Sequence, residues 1–432
     1  DGGDLFAGSP ASDWTSGKPT IAAYNRMGIS AGALGNHELD FGQDTLRMRL
    51  SELKYRVLAA NVVGTDGKVP GWLRADTIVV RDGLRIGIIG AASQFTPGNT
   101  RQRNVKGLTF LDPAPIVSAR VKELRAQGVD AVIVTIHDGA RCTSGVSEGC
   151  DGSGINFVKA LTEKPDAVVL AHAHTDILLT INGIPSVQVT SNGRAIGVID
   201  IALQSGVPAT PTFRTVSADS LTTIDPVLDT IVRNAVNRVR TRLEAPVATI
   251  KEALTRPGEQ YPLGNLVADA TRVIGNADFG AANNGGIRAD VRAGALNFGG
   301  VHEIAPFGNV IAKLSIRGNN LGPLLESFVR GKAPNSHVSG MEIVYDPSKP
   351  AGQRIVSITL PDGKPLNPTK VYTLALNDFM IDDPTFMKPE YVLSTQILPI
   401  DISAAIAEYL KRLPQPVVAP KEVRIRMIGE SR

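Results

Sequence analysis

At 432 residues, with 43% hydrophobic, 20% charged and 5% aromatic side chains, the chain has an ordinary globular composition and more length than one hydrophobic core usually supports, which favours two domains. Its 45 Lys and Arg nearly balance 42 Asp and Glu, and neither sign forms long blocks, so bulk electrostatics gives no argument for a nucleic-acid polymer or a membrane surface as partner, and none is expected. No uninterrupted apolar run approaches the ~18 residues of a membrane span.

Residues 1 to about 215 alternate short apolar runs with amphipathic stretches, as strands and helices of an α/β layer fold do. Thr77 to Ala91 reads as a hairpin around Asp82-Gly83. Asp112-Pro113 starts a helix whose apolar face is Val117, Val121 and Leu124, with Gly128 as its stop. Asp130 to Ile136 and Asp166 to Ala171 are continuous apolar runs too short for helices, and read as buried strands. A second turn, Asn182-Gly183, joins 176–181 to 186–191. A Ser/Thr/Pro-rich patch at 205–220 precedes a helical pattern from 225 to 244, so the expected organisation is a first domain over 1–215, a linker and connecting helix over 216–244, and a strand-rich second domain over 245–432.

The two cysteines, Cys142 and Cys150, lie close together in a Gly/Ser-rich stretch. That pattern suits a local disulfide better than a zinc site, with two unpaired thiols as the alternative. A bridge would put the protein in an oxidising compartment, secreted or periplasmic.

Four of the six histidines follow short apolar runs or Gly-rich turns: His37 in Gly-Asn-His-Glu, His137 in Ile-His-Asp-Gly, and His172 and His174 in Ala-His-Ala-His. Residues just after parallel strands converge on one edge of the sheet even when distant in sequence, and Asp4 and Asn36 join them by the same argument. Any one of these histidines alone would more often be structural. Together with an Asp and an Asn they form a thiolate-free nitrogen and oxygen donor set that suits zinc, manganese or iron. His302 and His337 lie outside such motifs and are expected to be ordinary surface or core residues.

Asp1-Gly2-Gly3-Asp4-Leu5-Phe6-Ala7-Gly8, Gly35-Asn36-His37-Glu38-Leu39-Asp40-Phe41-Gly42 and Ala171-His172-Ala173-His174 resemble successive signatures of the calcineurin-like metallophosphoesterases. Downstream, Tyr261-Pro262-Leu263-Gly264-Asn265-Leu266-Val267-Ala268-Asp269-Ala270, Asn284-Gly285-Gly286-Ile287-Arg288 and Pro306-Phe307-Gly308-Asn309 resemble the C-terminal domain of 5′-nucleotidases and periplasmic UDP-sugar hydrolases. The resemblance implies an α/β fold, a layered αββα phosphoesterase domain followed by an α+β substrate-binding domain. It implies a dinuclear centre in which Asp4 bridges two divalent ions, one also held by Asn36, His137 and His172, the other partly by His174. The family takes the remaining ligands of the second ion from an Asp-x-His motif on a first strand, upstream of the motif that contains Asp4. No such motif precedes residue 4, and a truncated N-terminal strand is expected, with a protein that lacks those ligands as the alternative. The implied nucleophile is a metal-bridging hydroxide acting on phosphorus. His37 would stabilise the transition state or protonate the leaving oxygen, with Asp40 orienting its ring; a turn-capping role is the plainer reading of Asp40. Ile136-His137-Asp138-Gly139 replaces the usual Ser-His-x-Gly, and Ala171 the usual Gly, with no ligand lost.

In the second domain, Asn284 and Gly286 would let backbone approach a ligand, and Arg288 offers a fork matched to phosphate; a plain tight turn is the alternative. Arg292 could share that face or simply be solvated. The resemblance implies a pair of rings around the nucleobase. Phe379 matches one, although it could equally be core, while the segment Ala333 to His337 contains no ring of Phe, Tyr or Trp for the other. Asp382-Asp383-Pro384-Thr385 replaces the family's Gly-Gly-Asp-Gly. The leading expectation is hydrolysis of nucleotide phosphate esters, with a mononucleotide or nucleotide-sugar as substrate. Cyclic-nucleotide phosphodiesterase activity and a non-catalytic secreted binding protein are the alternatives. Nothing in the sequence sets the oligomeric state.

Overall fold

The apolar runs of the N-terminal half form the centre of a six-stranded sheet in the computed structural model, which describes residues 1–201, 212–329, 333–383 and 385–429. Part of the Ser/Thr/Pro-rich patch at 205–220, and Pro384, lie outside the described residues. The chain divides into two units, Asp1–Val236 and Asn237–Arg432, and the boundary falls inside a helix, Pro226–Glu244, where the connecting helix was expected.

The first unit contains β1 (Ala31–Ala33), β2 (Arg56–Leu58), β3 (Asp76–Arg81), β4 (Leu84–Ala92), β5 (Ala131–His137), β6 (Ala167–Leu170), β7 (Ile177–Ile181) and β8 (Ile184–Gln188). β1 and β2 pair in parallel as a separate sheet, and the other six run in the order β3-β4-β5-β6-β8-β7. The inner strands β4, β5, β6 and β8 are parallel, and both edges are antiparallel hairpins. Each hairpin turns on two residues with positive φ, Asp82 (49°) with Gly83 (81°) and Asn182 (51°) with Gly183 (77°), the geometry that Asp-Gly and Asn-Gly supply.

The helices of this unit include α1 (Lys18–Met27), α2 (Gln43–Glu52), α3 (Pro113–Ala126) and α4 (Ser153–Ala160). Asp112 caps α3 by accepting from the Ala114 amide at 3.1 Å, and Gly128 follows its end with φ 71°. One core joins Val117, Val121 and Leu124 of α3 and Val158 of α4 to Ile89, Val134 and Val168 of the large sheet. A second joins Ile21 of α1 and Leu46 of α2 to Leu34, Tyr55, Val57 and Ala92 around the small sheet. The result is the expected layering of helix, sheet, sheet and helix, which leaves the carboxyl ends of the inner strands free to carry chemistry. In the loop between β5 and α4, Cys142 and Cys150 form a disulfide with an S–S distance of 1.96 Å.

The second unit is built on a five-stranded sheet of β9 (Phe279–Asn283), β10 (Val310–Arg317), β11 (Ser336–Ser339), β12 (Val371–Asn377) and β13 (Val392–Asp401), in the order β11-β9-β12-β10-β13. Helix α5 is the shared Pro226–Glu244; α6 (Pro262–Ile274) packs on β9, and α7 (Ile402–Arg412) packs on α6. Pro262 suits the first turn of α6, where its missing N–H costs nothing. The buried polar face of this helix explains the Pro-Leu-Gly-Asn motif. A Cβ on Gly264 would lie 2.1 Å from the His337 ring, so only glycine lets β11 approach. The amide of Asn265 donates to the Glu422 carbonyl at 2.8 Å and its oxygen accepts from His337 Nδ1 at 3.3 Å. Asp269 takes both ends of the Arg424 guanidinium, at 2.6 and 3.0 Å. One helix thus pins both an edge strand and the C-terminal segment. His337, expected to be unremarkable, is wholly buried, as is His302.

Burial, reinforced by the Arg424 charge, holds His337 neutral and lowers its pKa to about 3. An unfolded histidine titrates near ~6.5, so the unfolded chain binds the extra proton first. The stability this site contributes is complete above that value and is lost as pH falls toward 3. Denaturant midpoints at pH 7 and pH 5 should show the stability gap between the wild-type protein and His337→Gln shrinking at the lower pH.

Candidate metal centre and nucleotide-binding surface

Asp4, His137 and His172 each offer a ligand atom within 4.8 Å of the others. His137 is the last residue of β5, and His172 follows β6 after one residue, so the parallel register of these strands brings them together. The Nδ1 of His137 donates to the Gly2 carbonyl at 2.7 Å, which fixes the tautomer and leaves Nε2 facing Asp4 Oδ2 at 2.9 Å and His172 Nδ1 at 3.2 Å. Asn36, at the exit of β1, is 3% exposed, and its Oδ1 is buried without a hydrogen-bond partner while its Nδ2 donates to the Asn99 carbonyl. A carboxylate and two imidazoles in one cluster, with an orphaned buried amide oxygen on the loop whose next residue donates its backbone amide to Asp4, have the donor chemistry of a divalent-ion site, and these residues fit one. His174 is exposed and lies outside that group among the described residues.

Burial opposes ionisation of Asp4, yet His137 and His37 outweigh it and hold its carboxyl below the usual range. The same pairing raises His137 against the effect of burial, while burial and its charged neighbour His137 lower His172. Three of the expected ligands sit in the left-handed region, Asp4 at φ 63°, His172 at 72° and His174 at 58°. Such conformations cost about 1–3 kcal/mol each and persist only where the surroundings impose them.

Glu38 imposes one of them, a role the sequence reading did not give it. It is 1% exposed and accepts from the backbone amides of Asp4 at 3.0 Å, Gly35 at 2.7 Å and Leu5. One carboxylate therefore ties the loop of Asp4 to the loop of Asn36. The two loops touch so closely that a Cβ on Gly35 would lie 2.2 Å from Asp4 Oδ1. The signal was present in the motif, where the glutamate sits between the candidate site residues His37 and Asp40.

His37 and Asp40 do pair, Nδ1 to Oδ2 at 2.5 Å. Burial disfavours the charged ring, but Asp40, and then Asp4 and Glu38, raise its pKa to about 9. The backbone amide of His37 also donates to Asp4 Oδ1 at 2.9 Å, linking the dyad to the ligand cluster.

In the second unit Arg288 is exposed, with its guanidinium 5.5 Å from the centre of the Phe307 ring. Phe307 is half-buried and lies in the Pro-Phe-Gly-Asn motif, which was noted without assigning it a role. Asn284 donates to the Glu259 carbonyl at 3.0 Å and carboxylate at 2.8 Å, and its Oδ1 is buried without a partner. Asn284 and Glu259 line a cavity of about 490 Å³ with Arg256, Tyr261 and Asp290. A Cβ on Gly286 would meet Asn283 Oδ1 at 2.8 Å, so this glycine is required by packing in the turn. Arg292 is exposed, and Phe379 is half-buried at the start of the short helix Asp378–Asp382. The segment without an aromatic ring runs into the buried strand β11, with His337 turned inward.

Layers, strand-end ligands and a second α+β unit define a metallophosphoesterase-type fold with a C-terminal domain. Residues 246–386 match the family model "5′-nucleotidase, C-terminal domain". The chain is 26% identical to a 5′-nucleotidase of Diplobatis ommata, over 100% of this chain and 82% of that one. It is 27% identical to Endonuclease YhcR of Bacillus subtilis over 99% of its own length, but spans only 36% of that protein. The crystal structure of a 5′-nucleotidase precursor from Thermus thermophilus superimposes with a TM-score of 0.78 at 23% identity, covering 100% of this chain and 90% of that one. The C-terminal family match, the similarity along the whole chain and the shared fold together support the 5′-nucleotidase family.

If Glu38 holds the ligand loops in register, Glu38→Gln replaces one acceptor oxygen with an amide that faces backbone donors. Manganese titrated into the variant, followed by calorimetry, should bind about 10- to 100-fold more weakly than to the wild-type chain.

Proposed function

We propose that this protein hydrolyses phosphate esters of nucleotides in a metal-dependent reaction, and does so outside the cytoplasm. The observation that carries the reading is the convergence of Asp4, His137 and His172, with the unpartnered oxygen of Asn36 on the adjoining loop. These four residues would hold one divalent ion, and Asp4 with His174 would contribute to a second, zinc and manganese being the candidates. When bound, such ions supply charge neutralisation at the phosphoryl oxygens and lower the pKa of water.

The protein's own groups then do the following. His37 is kept protonated near neutral pH by Asp40, and because Nδ1 is taken, Nε2 is the atom that gives its proton to the leaving oxygen. Arg288 binds phosphate or stacks with Phe307 on a base, Asn284 and Gly286 shape the adjacent turn, Phe379 adds apolar area, and Arg292 adds positive charge. The disulfide supports an oxidising compartment. Among the described residues no helix is long and apolar enough to cross a membrane.

Phosphate release from adenosine monophosphate by the complete gene product, with manganese or zinc added, tests the proposal. Turnover should stop with a chelator and return with metal. His137→Ala should abolish it, and His37→Ala should lower kcat by about 10²- to 10⁴-fold. Release from cyclic but not linear nucleotides would replace the reading with a phosphodiesterase. Bound metal without any turnover would favour a binding protein.

A further inference from the structure

A segment some sixty residues beyond the Asn-His-Glu motif, Asn99 to Asn104, makes three polar contacts with that motif's functional groups, and no motif in the sequence marks it. The Asn99 carbonyl accepts from Asn36 Nδ2 at 3.3 Å. An amide held by its nitrogen cannot rotate freely, so this contact decides that the oxygen is the end of Asn36 left buried without a partner. The Thr100 hydroxyl donates to Asp40 Oδ1 at 3.2 Å, while the other oxygen of the same carboxylate engages His37 at 2.5 Å. Asn104 Nδ2 donates to the Asp40 carbonyl at 3.0 Å. The far end of the strap is itself fastened, since Gln43 Nε2 donates to the carbonyls of Asn104 at 3.1 Å and Lys106 at 2.9 Å, and Val105 is buried in the second core.

We infer that the strap Asn99–Asn104 is a positioning element for catalysis, with Thr100 as its central residue. The inference rests on the proposed role of His37. A carboxylate held at one oxygen alone can swing about its side-chain bonds and carry the imidazole with it. Held at both oxygens, and at its own backbone carbonyl, Asp40 has one orientation and His37 Nε2 has one direction. Thr100 is 4% exposed, so its hydroxyl is a donor shielded from competing water. It does not contact the reacting atoms, and its effect is exerted entirely through Asp40.

Thr100→Val keeps the shape of the side chain and removes the donor, and Thr100→Ser keeps the donor. In the complete, metal-loaded protein, Thr100→Val should lower kcat for adenosine monophosphate about tenfold, with KM and bound metal unchanged, and Thr100→Ser should restore it. In a His37→Ala background Thr100→Val should add no further loss, because a positioning residue has nothing left to position. Asn104→Ala, at a half-buried site, should reproduce the kcat loss even if the valine variant does not fold. Unchanged kcat in Thr100→Val or in Asn104→Ala, or an additive loss on top of His37→Ala, would overturn the inference. An inactive wild-type protein would overturn the proposed function, and this inference with it.

Discussion

The buried carboxylate of Glu38 is the contact on which the site depends. Backbone amides from two loops, one before β1 in sequence and one after it, point at a single side chain that water does not reach. An unmade hydrogen bond in such a place costs about 1–3 kcal/mol per donor, so the two loops cannot separate cheaply. That cost sustains the left-handed backbone at Asp4, and with it the aim of the Asp4 carboxylate at His137. The candidate ligands are ordinary side chains, and their loops are held together by a carboxylate that accepts from backbone amides.

The second unit solves a related problem with a charged pair. Asp269 and Arg424 are each about 10% exposed at the side chain, and their attraction is supported by Ser339 and Glu422. Burying an ion pair seldom adds net stability, but breaking one leaves an uncompensated charge. The pair therefore serves to specify where the C-terminal segment lies against α6. The motif that marks this domain in sequence is consequently a packing motif: Gly264 makes room, Asn265 and Asp269 make the connections. The proposed ligand contacts lie instead in the neighbouring turn with Asn284, and at Arg288 and Phe307.

Comparison of sequence and structure is most instructive at individual residues. The Asp82-Gly83 and Asn182-Gly183 hairpins, the start of α3 at Asp112-Pro113 and the strands ending at His137 and before His172 were legible because each depends on local chemistry: positive φ at a turn, a side-chain cap, an apolar run of limited length. The His37 and Asp40 pair was expected only from the resemblance of the Gly-Asn-His-Glu-Leu-Asp motif, since the residues alone read equally as a capped turn, and it is the folded turn that brings Nδ1 within 2.5 Å of Oδ2. Phe307 went without a role because its partner Arg288 is nineteen positions away, and contact across that separation is created only when the chain folds. The Asn99–Asn104 strap was invisible for the same reason, and because a backbone carbonyl carries no residue identity to read.

What the sequence by itself determined was the inventory: the division into two units, the strand-end placement of the histidines, the nitrogen and oxygen donor set, the cysteine pair, and the motifs of a phosphoesterase with a second domain. The motifs carry a resemblance; the rest follow from length, periodicity, turn chemistry and residue type, which are mostly properties of short segments. Tertiary structure decided which donors meet, which nitrogen of His137 faces Asp4, which atom of Asn36 is left without a partner, and that Glu38 and Thr100 act on the site at all. Those are matters of distance and orientation between segments far apart in the chain, set by parallel strand register and by buried hydrogen bonds that form only once both partners have left water.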